Sequence, residues 1–288
     1  MSSSEIQDSE RQSIDVDIVC VGLGPATGGF LTTLSRGLLR DDGTPEIESK
    51  VMPGMPLQVA CYERADDIGF GVSGIATRAR SLKESHPDLN AAEISLAAEI
   101  TSEKVVYLLD PVGASRRSTT LRIADKIIKA FKWLPFFDAE ALELPYIPPF
   151  LRKEGGFVFS IGQLMQWVGA DLMSTGTVVV WPGTPVSGPL IQGEDVVGVR
   201  LVDQGVDKDG SPAAGYMPGM DIRAALTVVG DGPVGAVGHQ LDEHFGLPEG
   251  NHHSEWAVGA KVVIDLPDDV KLEPGTIFHS FGFPEPEI

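Results

Sequence analysis

The decapeptide Val21–Phe30, VGLGPATGGF, decides how the rest of the chain is read. It closes DVDIVCV (Asp15–Val21), a short run rich in valine and isoleucine, and leads into ATGGFLTTLSRGLL, whose apolar residues recur at helical intervals. Strand, glycine turn and helix open a dinucleotide-binding unit. Gly22 permits the turn off the strand and Gly24 lets backbone approach a pyrophosphate, while the helix aims unpaired N–H groups and its positive dipole end at the phosphates. The third position of the usual G-x-G-x-x-G spacing holds Thr27, and glycine arrives one residue late as Gly28. That third glycine ordinarily lets helix and strand pack closely. Thr27 therefore needs extra room, which Gly28 and Gly29 are expected to provide by thinning the first turn of the helix.

Beyond the helix, a polar connector bearing proline and glycine (Arg40–Pro56) leads to LQVACYE (Leu57–Glu63), a second buried strand ending in an acid. Such a βαβ unit implies parallel strands joined with right-handed sense. The Glu63 carboxylate stands where it can accept hydrogen bonds from both ribose hydroxyls of an adenosine. It lies 39 residues after Gly24, about twice the usual ~20, and the connector accounts for the surplus. The alternative is a glycine-bearing turn that binds nothing; Glu63 favours the nucleotide.

Composition narrows the partners. The 288 residues carry 22 Lys plus Arg against 41 Asp plus Glu, a formal charge of −19. Such a field repels phosphate backbones and anionic lipid headgroups, and argues against nucleic acid. Cys20 and Cys61 sit in apolar runs without metal-ligand spacing, so they read as two buried thiols in a reducing compartment, with no metal site. The opening MSSSEIQDSERQS lacks a basic segment followed by an apolar core, so residues 1–14 are expected to form a disordered tail. No apolar run approaches the length of a membrane span.

From Gly69 to Gly156 the pattern is irregular, with a helical stretch around Asn90–Ile100, and it reads as insertion without sheet core. A helix over Gly162–Ser174 and a third parallel strand over Thr177–Trp181 follow. Short strands separated by Asp/Gly turns, VVGVRLVD (Val196–Asp203), a piece near Tyr216–Arg223 and ALTVVGDG (Ala225–Gly232), read as an antiparallel meander. WAVGAKVVIDL (Trp256–Leu266) reads as the opening strand of a second sheet. The fold class is thus α/β: a Rossmann-like dinucleotide-binding domain of three layers with a parallel sheet and a meander, plus part of a mixed-sheet substrate domain. Its expected divisions are 15–80, an inserted 81–156, 157–250 and 251–288.

Four stretches, DIVCVGLGPATGG, CYERADDIGFGVSGI, GGFVFSIGQLMQWVGADLMSTGTVVVWPG, and VDKDG with VVGDGPVGAVGHQL, together resemble the electron-transfer flavoprotein:quinone oxidoreductase family. More loosely they resemble geranylgeranyl-reductase-like flavoproteins with the glutathione-reductase type of FAD fold. PGTIFHSFGFP is a weaker fifth match. The resemblance implies FAD as cofactor. It places Gly22, Gly24, Pro25, Ala26 and Thr27 at the pyrophosphate, Glu63 and Arg64 at the adenosine, and Val186 near adenine. Gly71, Val72, Ser73, Gly74 and Gln163 fall on the flavin side, and Gly230, Asp231 and Gly232 near pyrophosphate and ribityl. The chemistry at such a site is mainly the flavin's, so no catalytic acid or base is assigned. His239, His244, His252 and His253 read as solvated.

Two departures stand out. Relatives often carry an arginine before the Leu/Ile-Gly pair, where this chain has Ser160, so a cation near the cofactor is expected to be missing. The sequence stops at FGFPEPEI, before the rest of the relatives' substrate sheet, and two cysteines cannot supply a four-cysteine iron–sulfur site. A second polypeptide completing the flavin site is therefore expected, the alternative being that the chain is a fragment. Arg122–Phe137 carries an apolar stripe interleaved with lysines, as an interfacial helix would; packing on the domain or on a partner is the other reading. The activity expected is an FAD-dependent oxidoreductase subunit passing electrons from an electron-carrier protein or organic donor toward a quinone-like acceptor. Its expected location is cytoplasmic, peripheral at most on the inner membrane face. A redox-silent assembly subunit is the competing class; an NAD-dependent dehydrogenase is weaker, because no catalytic constellation accompanies the loop.

Overall fold

The computed structural model describes residues 11–71, 73–87, 89–111, 118–131, 133, 137–138 (backbone), 140–246, 259–270 and 272–284. In chain order these form β1 (Ser13–Val21), α1 (Pro25–Arg36), β2 (Val59–Tyr62), β3 (Gly74–Thr77), α2 (Arg80–Ser85), β4 (Ala98–Glu99) and β5 (Ser102–Leu108). Then come α3 (Thr119–Ala130), β6 (Phe137–Asp138), β7 (Ala141–Leu144), β8 (Phe157–Ser160), α4 (Ile161–Ser174), β9 (Val178–Trp181) and β10 (Val186–Gln192). The last are β11 (Asp195–Leu201), β12 (Gln204–Val206), β13 (Pro212–Met217), β14 (Asp221–Val229), α5 (Ala236–Phe245) and β15 (Thr276–Gly282). Two compact units result: residues 1–73, 84–87 and 160–261, and residues 74–83, 88–159 and 262–288.

The first unit is built on one sheet of order β10-β11-β14-β1-β2-β9. The strands β14, β1, β2 and β9 run parallel, while β11 pairs antiparallel with both β14 and the edge strand β10. This is the expected fold class, a parallel sheet with an antiparallel meander. The central strands β1 and β2 read as continuous apolar runs because both their faces are covered, while β9 and β14 keep exposed residues such as Trp181 and Leu226. On one face Val19, Val21, Ala60, Tyr62, Val199 and Ile222 close against Val237 of α5. By the two-residue period of a strand, Cys20 and Cys61 point to the other face. They are partners in the β1/β2 register, both free and both buried. Burial pushes the Cys20 thiol up to about 12 and Cys61 higher still, so both are inert thiols.

Buried Asp17 pins the long connector to the base of β1. Its carboxylate accepts from Ser49 Oγ at 2.5 Å, Gln58 N–H at 2.8 Å and Lys50 N–H at 2.9 Å. Burial alone would raise its pKa, but these hydrogen bonds hold it below the usual range. The end of the stretch read as a disordered tail is structured: β1 begins at Ser13, and Arg11 Nη2 donates to Asp203 Oδ2 at 2.9 Å. That guanidinium, outweighing burial, holds the Asp203 carboxyl well below the ordinary carboxylate range.

In the second unit, β15-β5-β7-β6 form one sheet and β3-β8-β4 another. The stretch read as insertion without sheet core therefore supplies the sheets of its own unit. The helix expected around Asn90–Ile100 is a single 3₁₀ turn, Ala91–Glu93, followed by β4. Asn90 caps that turn by accepting from Ala92 N–H, and Leu96 adopts φ +57°, which an α-helix cannot continue through. The predicted strand over Trp256–Leu266 is also corrected. Residues 256–258 lie outside the described ones, and Gly259–Leu266 has no strand partner among those described. Val262, Val263, Ile264 and Leu266 are 76, 61, 71 and 56% exposed. The strand of this region is β15, inside the weaker fifth match, paired parallel to β5.

Candidate functional site

Register brings the first unit's loops together. Val21 pairs with both Tyr62 and Val229, and Tyr62 with Trp181, so four parallel strands end in step. The loops carrying Gly22–Gly24, Glu63, Thr184–Val186 and Gly230–Gly232 leave the sheet at this one carboxyl edge, where open α/β sheets bind ligands.

The turn after β1 requires glycine. Gly22 has φ +81°, and a Cβ there would lie 2.7 Å from the Gly230 carbonyl oxygen. Gly24 caps α1 without a side-chain bond, Pro25 takes the first helical position, and the first turn holds no acid. The first helical bond runs from Gly28 N–H to Gly24 O at 2.8 Å. The N–H groups ahead of it are left to face the helix end, as an anion requires.

Thr27 is accommodated, though not as the sequence led us to expect. A Cβ on Gly230 would lie 2.1 Å from Thr27 Oγ1 and 3.5 Å from Thr27 Cβ. The room that the third glycine would give on the helix is provided instead by Gly230, the residue just after β14. Gly28 serves another contact, since its Cβ would lie 2.8 Å from Met165 Cε and 3.3 Å from Val168 Cγ1 on α4, while Gly29 has open space around it. Thr27 is 2% exposed, and its hydroxyl is without a partner among the described residues.

Glu63 turns its carboxylate to the loop. Oε2 accepts from Leu23 N–H at 2.7 Å and Oε1 from Ala65 N–H at 2.9 Å. The turn before β10 is fixed to the same strand end, with Thr184 N–H on Glu63 O at 2.9 Å and Gly183 N–H on Ala65 O at 2.7 Å. That turn delivers Val186, partly buried against the core cluster. Arg64 is exposed. A carboxylate keeps about four acceptor sites on two oxygens, so Glu63 can still take ribose hydroxyls after both amide bonds.

The loop that the resemblance assigns to the flavin side is clasped by α4. Ile161 N–H donates to Ser73 O at 2.8 Å, and a Cβ on Gly162 would lie 2.1 Å from Gly69 O and 2.4 Å from Gly71 O. Gly71 and Ser73 are exposed at this loop, and half-buried Gln163 follows the clasp on α4. Val72 lies outside the described residues, and Gly74 opens β3 in the second unit. Ser160, the N-cap residue of α4, accepts from Lys261 Nζ at 2.6 Å. The cation expected to be missing beside Ser160 thus reaches it from 101 positions away.

Asp231 binds protein first. Its Oδ2 accepts from Val237 N–H at 2.9 Å and Gly238 N–H at 3.1 Å, capping α5, and a Cβ on Gly235 would lie 1.9 Å from Asp231 Cγ. Gly232 is exposed with φ +80°. His239 and His244 lie on α5, and His252 and His253 fall outside the described residues. No group of three or more candidate metal ligands occurs among the described residues. Sequence reasoning missed Lys261 and the two glycine interlocks; only the bunching of Gly69, Gly71 and Gly162 hinted at the second.

No family model matches the chain. It is 26% identical to the electron transfer flavoprotein-ubiquinone oxidoreductase of Pseudomonas aeruginosa over 278 residues, 96% of this chain and 43% of that protein. It is 27% identical to the mitochondrial protein of that name from Arabidopsis thaliana over 290 residues, 99% of this chain and 39% of that one. The resemblance read from the motifs therefore holds over nearly the whole chain, which spans about two-fifths of the length of these relatives. Among solved structures, a geranylgeranyl bacteriochlorophyll reductase-like protein from Thermoplasma acidophilum overlaps 79% of this chain and 42% of its own, with 14% identity and a TM-score of 0.45.

Proposed function

We propose that the first unit holds FAD along the aligned strand ends and that the chain belongs to an oxidoreductase passing electrons from an electron-carrier protein or organic donor toward a quinone-like acceptor. One observation carries the FAD site: Glu63 is held against Leu23 N–H, so a fixed carboxylate and the amide end of α1 converge on one edge. The residues fit the cofactor. Gly22, Gly24, Pro25, Ala26 and Thr27 would hold the pyrophosphate, Glu63 the ribose, and Gly71 and Ser73 the flavin side; the clasp of that loop by α4 favours a flavin over a nicotinamide. Bound flavin supplies the electron-transfer chemistry, while the chain orients it and sets its electrostatics. The test is the visible spectrum of the purified protein and its photoreduction. A yellow protein that bleaches and reoxidises is expected. A colourless protein that takes up no added FAD would support the redox-silent reading instead.

Helix α3 favours a membrane-facing role for its outer side. Its inner side is tied down: Asp125 accepts from Tyr107 Oη at 2.8 Å, and Lys129 pairs with Glu140 at 3.0 Å. Ile123, Ile127, Phe131 and Trp133 are 54, 57, 48 and 78% exposed, beside exposed Arg122 and Lys126. Phe136, at the end of the predicted stripe, lies outside the described residues. Among the described residues no helix is long and apolar enough to cross a membrane. This face instead suits shallow insertion among headgroups, where exposed Arg122 and Lys126 attract at contact what the net charge of −19 repels at longer, screened range, and two free thiols accord with the reducing, inner side. Wild type should float with anionic liposomes and the Ile127→Asp/Trp133→Asp double variant should not; equal flotation removes the membrane contact. Part of the same reading is a second polypeptide over Val262–Leu266, whose apolar side chains and unladdered backbone otherwise remain in water.

A further inference from the structure

Lys261 stands in an electrostatic position that the described residues do not explain. Its ammonium donates to Ser160 Oγ, and Ser160 is 7% exposed and makes no side-chain cap bond to its own helix. The first turn of α4 contains no acid, and no carboxylate pairs with Lys261 among the described residues. An ammonium therefore sits beside the positive end of a 14-residue helix, two like-signed charges with no carboxylate opposite them among the described residues. The next residue, Ile161, donates to Ser73 O, and Gly162 is in backbone contact with Gly69 and Gly71. The ammonium is thus bonded to the residue that immediately precedes the two contacting the loop assigned above to the flavin.

Resting on that assignment, we propose that Lys261 is an electrostatic positioning residue of the flavin site, held by Ser160 so that its fixed charge favours the reduced over the oxidised cofactor. The chemistry is simple. Two electrons and one proton convert the neutral oxidised ring into a reduced ring carrying one negative charge, and a nearby cation stabilises the product alone. Ser160 contributes by fixing a side chain that would otherwise spend its time in water. The arrangement raises the reduction potential without a proton transfer by Lys261.

The test is the two-electron midpoint potential of FAD-loaded protein, titrated with dithionite, alongside the affinity of the apoprotein for oxidised FAD. Lys261→Met should weaken reduced FAD roughly tenfold relative to oxidised FAD, a fall of about 30 mV in midpoint, with affinity for oxidised FAD unchanged. Lys261→Arg should keep the wild-type midpoint. Ser160→Ala, which leaves the charge but frees it, should lower the midpoint by less than Lys261→Met. An unchanged midpoint in Lys261→Met overturns the inference and leaves the FAD site standing, as does an equal fall in Lys261→Arg, which would mark lost shape and not lost charge. A wild type that binds no FAD removes both.

Discussion

Gly230→Ala should lower the stability of the first unit by about 1–3 kcal/mol, the range for overpacking a filled interior, and Thr27→Ala in the same chain should restore most of it. The added methyl would sit 2.1 Å from Thr27 Oγ1, which lies on the first turn of α1 and is 2% exposed. Thr27 is buried on the first turn, so relieving the clash must repack its side chain or shift the start of α1 and the Gly22–Gly24 amides next to it. Removing the threonine hydroxyl and methyl leaves Cβ to Cβ at 3.5 Å, an ordinary contact. Thr27→Ala alone should cost little, because the hydroxyl it deletes has no partner among the described residues. Denaturant unfolding of the two single variants and the double variant gives the coupling directly. Additive effects would mean that the two positions are not interlocked.

Glu63→Ala should lower affinity for FAD by roughly a hundredfold, as loss of a hydrogen bond of about 1.5–3 kcal/mol to a charged acceptor implies. The Leu23 and Ala65 N–H groups lose their acceptor in the same substitution. Glu63→Gln separates the two effects. It keeps the shape, but its NH2 must face one of two N–H donors, so binding should still fall while global stability changes less. Fluorescence titration of apoprotein with FAD, set beside an unfolding curve, is the measurement. Wild-type affinity in both variants would show that the carboxylate holds the loop and not a ribose.

The parallel half of the fold was legible because its causes are local. Continuous apolar runs, a glycine turn and a helical repeat specify β1, α1, β2 and β9 without reference to anything distant. The second unit was not legible, for two physical reasons. Its strands β3, β4, β7 and β8 span two to four residues each, too few for a period to show. The apolar run before Leu266 has strand composition but no ladder partner among the described residues, and composition reports the first without the second. At the site, residues next to the strand ends were placed by reasoning along the chain. Those that act across it were not: Thr27 with Gly230, Gly162 with Gly69 and Gly71, and Lys261 with Ser160 are separated by 203, about 90 and 101 positions, and nothing in a linear pattern couples them.

The in-step ending of β1, β2, β9 and β14 sets where this chain can change length. The stretch from Gly37 to Gln58 can gain or lose residues at small entropic cost, provided Ser49, Lys50 and Gln58 still reach Asp17. A single residue gained or lost within Val59–Tyr62 is a different event. It would invert every side chain beyond that point, sending the Cys61 thiol to the Val237 side and swinging Glu63 away from Leu23. Homologous sequences should therefore vary freely in the connector and keep an invariant count between the start of the second strand and its terminal acid.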